Sequence, residues 1–234
     1  MKNRSKIFIV LLLIIFFNIS PIYSIDKFNF DATEVEIVEN GNKFIGNKRV
    51  LITTDNNIKI EANKFTLDKL TDILVLNGNV VIEDISKNLR IFSDQVTYRK
   101  NEEIFTSESN SKIINWEDGI EVNANKFFYN KLTNILKLNG DAIIEDKNKK
   151  IKIFSEEAVY YRDKEIFISE SKSKFVSAEF EIVSDKMKYN KNLDALNSNG
   201  DVKITDFENN YIIFAEDISY LRDIGEIFTA GRTK

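Results

Sequence analysis

Pairs of carboxylates stand side by side in the chain, Glu102-Glu103 and Glu156-Glu157 among them. Paired carboxylates can run glycoside hydrolysis, and acidic clusters on repetitive β scaffolds can hold calcium. These acids alternate with Lys and Asn as a solvated face does. They are therefore read as turn and surface residues, and no catalytic residue and no metal ligand is assigned. Five regularly spaced tyrosines, Tyr98, Tyr129, Tyr160, Tyr189 and Tyr220, could stack on bases or sugars. Their constant place beside a kink fits a structural role better. The chain has no Cys and no His. That removes the thiolate nucleophile, the Cys-based zinc site, the commonest general base and the commonest metal ligand. The glycines sit in Asn-Gly turns and not in a strand-to-helix phosphate loop. Trp116 stands alone in a turn-like Asn115-Trp116-Glu117-Asp118. No cofactor is implied, and the reading is of a protein that is not an enzyme.

The elements that carry these residues are strands. In Ile58–Ile82, Ile58, Ile60 and Ala62 alternate with polar residues. The alternation slips by one after Ala62 and resumes at Phe65 and Leu67. Asp68–Asp72 is polar enough to turn, Leu74 and Leu76 alternate again, Asn77-Gly78-Asn79 bends the chain, and Val80 and Ile82 follow. Period 2 means one buried and one wet face; a slip is what a kink or bulge does to a strand. The unit is a hairpin of two long strands, each bent near its middle.

The unit recurs. The small residue before each slip is Ala32, Ala62, Ser93, Ala124, Ser155, Ser184 or Ala215, at intervals of 30, 31, 31, 31, 29 and 31. A second rhythm doubles the period: Asn77-Gly78-Asn79, Asn139-Gly140-Asp141 and Asn199-Gly200-Asp201 fall in alternate units, as do Ile91-Phe92, Ile153-Phe154 and Ile213-Phe214. Such regularity marks a stacked-unit architecture. The expected fold is all-β: an elongated, bent antiparallel sheet of about seven ~31-residue hairpins, ~65 Å long at ~4.8 Å per strand. It is one domain over residues 25–234. Neighbours must bury each hairpin's apolar face. Ile227-Phe228-Thr229 aligns with Ile166-Phe167-Ile168, which leaves the last unit unfinished: either its open edge is meant to pair with another strand, or the chain is the front part of something longer. Phe92, Phe154 and Phe214 break the alternation and form a stripe, expected to be covered by the bent arm of a neighbouring strand.

Lys plus Arg number 33 and Asp plus Glu 37, a net charge of −4. Three of the basic residues, Lys2, Arg4 and Lys6, precede Ser24, so the remainder is more acidic still. This balance argues against sequence-independent nucleic-acid binding. The basic head, the apolar run Ile7–Phe17 of 11 residues and the small Ser24 read as a signal peptide over residues 1–24. The run is short of the ~20 apolar residues of a membrane span. Export of the mature chain is expected.

The pattern small residue, Asp/Asn/Glu, any, apolar, any, Tyr/Leu, polar turn, then Leu-Asn-Gly-Asn/Asp-Val resembles the OstA-like repeat. That is the periplasmic domain family of LptA and of the N-terminal part of LptD. Ala62–Asp68 with Leu76–Val80, and Ala124–Asn130 with Leu138–Ala142, carry the resemblance. It implies an OstA-like β-jellyroll whose apolar interior carries the acyl chains of lipopolysaccharide (lipid A). It also implies edge-to-edge β pairing with LptC-like and LptD-like proteins, head-to-tail self-association, and a place in outer-membrane biogenesis beside the membrane complexes. The expected trough lining is Phe65, Leu67, Leu74, Leu76, Val80, Ile82, Val96, Phe105, Phe127, Leu136, Leu138 and Ile144, some of which must simply fill the core. Two rival readings are a structural or adhesive β-solenoid filament without cargo, and a carbohydrate-active solenoid with its carboxylates gathered in a cleft.

Overall fold

A computed structural model describes residues 28–55 and 57–234. The signal-peptide reading of residues 1–24 lies outside them. The described residues form one antiparallel meander of 19 strands, without an α-helix; four short 3-10 turns join some of the strands. Among the described residues, seven strands run unbroken through the bend over 11 or 12 residues, among them Ile58–Asp68, Ile73–Asp84, Leu89–Arg99 and Ile135–Asp146. Others break in the middle into two short strands, as Ile104–Ser107 and Ser111–Asn115 do. Both halves still pair with the same neighbour, Leu89–Arg99. The sheet is thus folded lengthwise into two arms that share one spine, with a single apolar cluster between them.

The spine has three kinds of corner, which explains the doubled period. In Ile73–Asp84, Asn77 and Val80 face Gln95 and Ser93 of the next strand, so one residue is extra. The extra length sits at Gly78 and Asn79, both with positive φ (76° and 49°). Glycine tolerates that region and Asn or Asp visits it at small cost. The same bulge recurs at Gly140-Asp141 and Gly200-Asp201. The intervening strands slip at two consecutive exposed residues, Asn63-Lys64, Asp94-Gln95 or Glu156-Glu157. The split strands turn on serines. Ser93 Oγ lies 2.9 Å from both Ser107 Oγ and Ser109 Oγ, and Ser111 Oγ donates to it at 3.0 Å. Ser155, Ser169, Ser171 and Ser173 repeat that hydroxyl cluster one double period later. The matching sequences Ser107-Glu108-Ser109-Asn110-Ser111 and Ser169-Glu170-Ser171-Lys172-Ser173 are a signal that the hydrophobic pattern alone passes over.

Two expectations shift. The backbone register pairs Tyr160 with Phe167 and Tyr220 with Ile227, so Ile227 and not Phe228 is the counterpart of Phe167. Phe228 belongs to the outer face and is exposed. The phenylalanine stripe also lies on the outside. Phe92 and Phe154 are half-buried there and Phe214 is exposed, with no strand arm laid over them. Their partners across the strands are Val81, Lys112, Ile143, Lys174 and Lys203. Lys174 covers part of the Phe154 ring, its Nζ 4.8 Å from the centroid. A lysine stem beside a ring takes part of its apolar surface from water.

Candidate functional site

The space between the arms is where the sequence places its apolar side chains, and the register shows how they line up. On one arm the row runs Leu67, Leu74, Tyr98, Phe105, Tyr129, Leu136, Tyr160, Phe167, Tyr189, Leu196, Tyr220 and Ile227, each directly opposite the next. On the other arm a row that is β-branched except at Phe175 runs Ile52, Ile60, Ile82, Ile91, Ile113, Val122, Ile144, Ile153, Phe175, Ile182, Ile204 and Ile213. Cross-strand neighbours of this kind lie about 4.5–5.5 Å apart at Cβ. Each row is therefore an unbroken apolar track that runs across the strands, along the long dimension of the sheet.

All twelve expected lining residues lie between the arms and all are buried. Phe65, Leu67, Leu74, Leu76, Val96, Phe105, Phe127, Leu136 and Leu138 stand on the tyrosine-bearing arm; Val80, Ile82 and Ile144 stand on the isoleucine arm. The structure brings them into one cluster. Most of the isoleucine row and all of the tyrosines share that interior without being among the twelve expected residues, although Ile-x-Ile alternation and the tyrosine spacing are both visible in the sequence. The interior is filled by its own side chains: Tyr98 stacks on Phe105 with centroids 4.1 Å apart, and Tyr160 on Phe167 at 3.8 Å.

The tyrosines also hold the turns. Tyr98 Oη donates to Glu103 at 2.9 Å, Tyr129 Oη to Asn134 at 3.0 Å and Tyr189 Oη to Asp194 at 2.8 Å. Glu103, Asn134 and Asp194 are the left-handed residues that end their turns. Burial pushes the Tyr129 hydroxyl up to about 12 and raises Tyr98 and Tyr189 as well, aided there by the facing carboxylates. All three stay protonated donors at neutral pH. Burial pushes the Asp194 carboxyl up, but hydrogen bonds from Tyr189 and Lys149 and the charge of Arg222 outweigh it and hold the group below its usual value.

Polar residues close the opening between the two arms. Lys100 pairs with Asp55 at 3.3 Å, Lys131 with Asp84 at 3.1 Å, Lys191 with Asp146 at 4.0 Å and Lys149 with Asp194 at 3.1 Å. Arg162 Nη2 donates to the Lys87 carbonyl at 2.7 Å, and Lys191 Nζ to the Asp118 carbonyl at 3.0 Å. Every one of these contacts joins a turn of one arm to a turn of the other. Elsewhere the surface carries shallow hollows. A groove of about 610 Å³ beside the spine runs past Val81, Phe92, Lys112 and Asn123. The acid pairs do not meet in a cleft. Glu156 and Glu157 are exposed at a corner, and Glu103 accepts from Tyr98 and Lys100.

The described residues thus form a two-armed β meander around a continuous apolar interior, with ion pairs along its opening. Residues 59–166 match the family model described as LptA/(LptD N-terminal domain) LPS transport protein. Over that stretch the chain carries an OstA-like lipopolysaccharide-transport domain, as the repeat pattern indicated. Among solved structures, the chain is similar to that of LptH, the LptA-homologous periplasmic component of the lipopolysaccharide transport device of Pseudomonas aeruginosa. The identity is 12%, the TM-score 0.27, and the match covers 61% of this chain and 80% of that one. No curated protein matches the chain.

Proposed function

We propose that this protein is a periplasmic lipopolysaccharide transport component that holds lipid A acyl chains between its two arms and relays them toward the outer membrane. The observation that carries the reading is the pair of uninterrupted apolar tracks, which run through the family-matched stretch and on to both ends of the described sheet. Burying one CH2 is worth about 0.8 kcal/mol, so one chain of roughly 12 carbons costs about 10 kcal/mol to expose. A track with the same apolar lining at every strand keeps successive positions close in energy, and a cargo can slide along it. No bond is made or broken, so the reading needs no acid–base chemistry.

The role fits an LptA-like bridge and also the periplasmic part of an LptD-like assembly protein. Both would use edge-to-edge β pairing with LptC-like or LptD-like partners, or with a second copy. Val35 and Ile37 support such pairing. They share the phase of the buried Phe65 and Leu67, yet are 45% and 58% exposed at the N-terminal edge. The arms must part for a chain to enter, because the tracks are filled when closed. A filament protein without cargo would stay filled. Organic extraction of protein purified from a lipopolysaccharide-producing host, followed by mass spectrometry, is expected to release lipid A in stoichiometric amount. Protein free of lipid A, and unable to take it up in vitro, would overturn the proposal.

A further inference from the structure

Six cations recur at the repeat interval: Lys69, Lys100, Lys131, Arg162, Lys191 and Arg222, each two residues past the end of the Leu/Tyr track on its strand. Each opens a turn on the same arm. The backbone N–H of each donates to a carbonyl of the preceding turn: Lys100 to Asp72, Lys131 to Glu103, Arg162 to Asn134, Lys191 to Glu165, Arg222 to Asp194. The turns are thereby tied into one lip, with a cation at every repeat directly above the apolar track. Lys100, Lys131, Arg162 and Lys191 are at least nine-tenths buried. A buried cation is costly unless it is paired. Lys100, Arg162 and Arg222 find partners on their own lip, in Glu103, Asn134 and Asp194, whereas Lys131 and Lys191 reach across to Asp84 and Asp146, and those two pairs fit loosely. Asp84 Oδ2 and Asp146 Oδ2 accept no hydrogen bond within normal geometry, and the Nε atoms of Arg162 and Arg222 have no acceptor.

From this arrangement we infer that the cation row is the binding site for the anionic, phosphate-bearing head group of an acylated cargo, and that Asp84 and Asp146 are its stand-ins when the lips are closed. The inference rests on the trough reading above and adds to it where the polar end of the cargo lies. When the lips part, Lys131 and Lys191 exchange a poorly fitted carboxylate for a phosphate oxygen, while the acyl chains meet the track immediately below. Because the cations repeat with the strands, a head group leaving one reaches the next without passing through an uncompensated position. Charge-assisted hydrogen bonds from Arg and Lys are the usual way proteins hold phosphate.

The test uses the full chain, bis-phosphorylated lipid A, and the same lipid after enzymatic dephosphorylation. Two variants are compared: the fourfold Lys131→Gln, Asp84→Asn, Lys191→Gln, Asp146→Asn, which removes both charges of each pair and keeps the lips neutral, and the twofold Asp84→Asn, Asp146→Asn, which leaves both lysines charged without their carboxylates. Circular dichroism first establishes that each is folded. The fourfold variant is expected to bind the phosphorylated lipid about tenfold or more weakly than the parent, as two lost charge-assisted hydrogen bonds imply. Its binding of the dephosphorylated lipid should be unchanged. The twofold variant is expected to bind the phosphorylated lipid more tightly than the parent. Equal affinity of parent and fourfold variant for the phosphorylated lipid would overturn the inference and leave the trough reading standing, and so would equal losses for the two lipids. Inorganic phosphate that binds the lipid-free parent and is lost with the lysines, seen by phosphorus NMR, would mark a small-anion site and overturn the head-group assignment. A parent that takes up neither lipid would overturn the trough reading and this inference with it.

Discussion

Exchanging Lys131 for methionine is expected to lower the free energy of unfolding by about 3–5 kcal/mol, the usual cost of leaving one member of a buried ion pair behind. The side chains of Lys131 and Asp84 are 10% and 4% exposed and their charged atoms lie 3.1 Å apart. Asp84 Oδ1 already accepts from Ser86 Oγ at 2.6 Å, so the second oxygen depends on Lys131. Without it a nearly dry carboxylate faces the isoleucine track. The double variant Lys131→Met, Asp84→Leu removes both charges and should recover most of the loss, since an apolar pair of similar volume is commonly neutral or better. Urea unfolding followed by circular dichroism measures both. A single variant within about 0.5 kcal/mol of the parent, the range of ordinary surface changes, would show that the lips are not sealed by this pair.

Phe65→Ala is expected to cost about 3–5 kcal/mol, as aromatic truncations in close-packed cores do. Phe65 is fully buried, sits against Phe30 at 5.2 Å between ring centroids, and lies over Gly46 on the next strand. A Cβ built on Gly46 would come within 2.0 Å of the Phe65 ring, although the backbone at Gly46 is ordinary. Gly46→Ala alone should therefore destabilise by about 1–3 kcal/mol through overpacking. Added to Phe65→Ala it should cost far less, or help, because the methyl enters the space the ring has left. Non-additivity of about 1 kcal/mol or more is the signature of two residues in contact. Strictly additive losses in a urea-unfolding double-mutant cycle would mean that the ring does not rest on Gly46.

The repeat, the bent strands and the interior face were legible because period-2 alternation reports burial directly, and because the slip after Ala62 repeats seven times over. Asn77-Gly78-Asn79 was legible as a bend for the same reason that it is one: Gly78 and Asn79 both adopt positive φ. The alignment of Ile227 with Ile166 misplaced the last strand by one position. Apolar residues at 227 and 228 satisfy either phase, and only the pairing with Tyr220 decides between them. The phenylalanine stripe could not be placed because a strand pattern states that a residue faces away from the core but not what lies on the far side. The ion-paired opening was hidden for a different reason. Lys131 and Asp84, or Lys191 and Asp146, belong to turns on opposite arms, and single-chain patterning carries no information on which turns meet. Charges in polar turns read as solvated until the arms are folded together.

Phe127 and Phe128 put the central claim to its simplest trial. They are adjacent on Lys126–Asn130, the first buried between the arms and the second on the outer face with Lys137 Nζ 5.6 Å from its ring centroid. A benzophenone side chain placed at either position, with lipopolysaccharide added and light applied, reports which face the cargo touches. A lipid adduct at position 127 and little or none at 128 is the predicted result. Adducts at 128 alone, or equally at both, would place the lipid outside the arms and contradict the account.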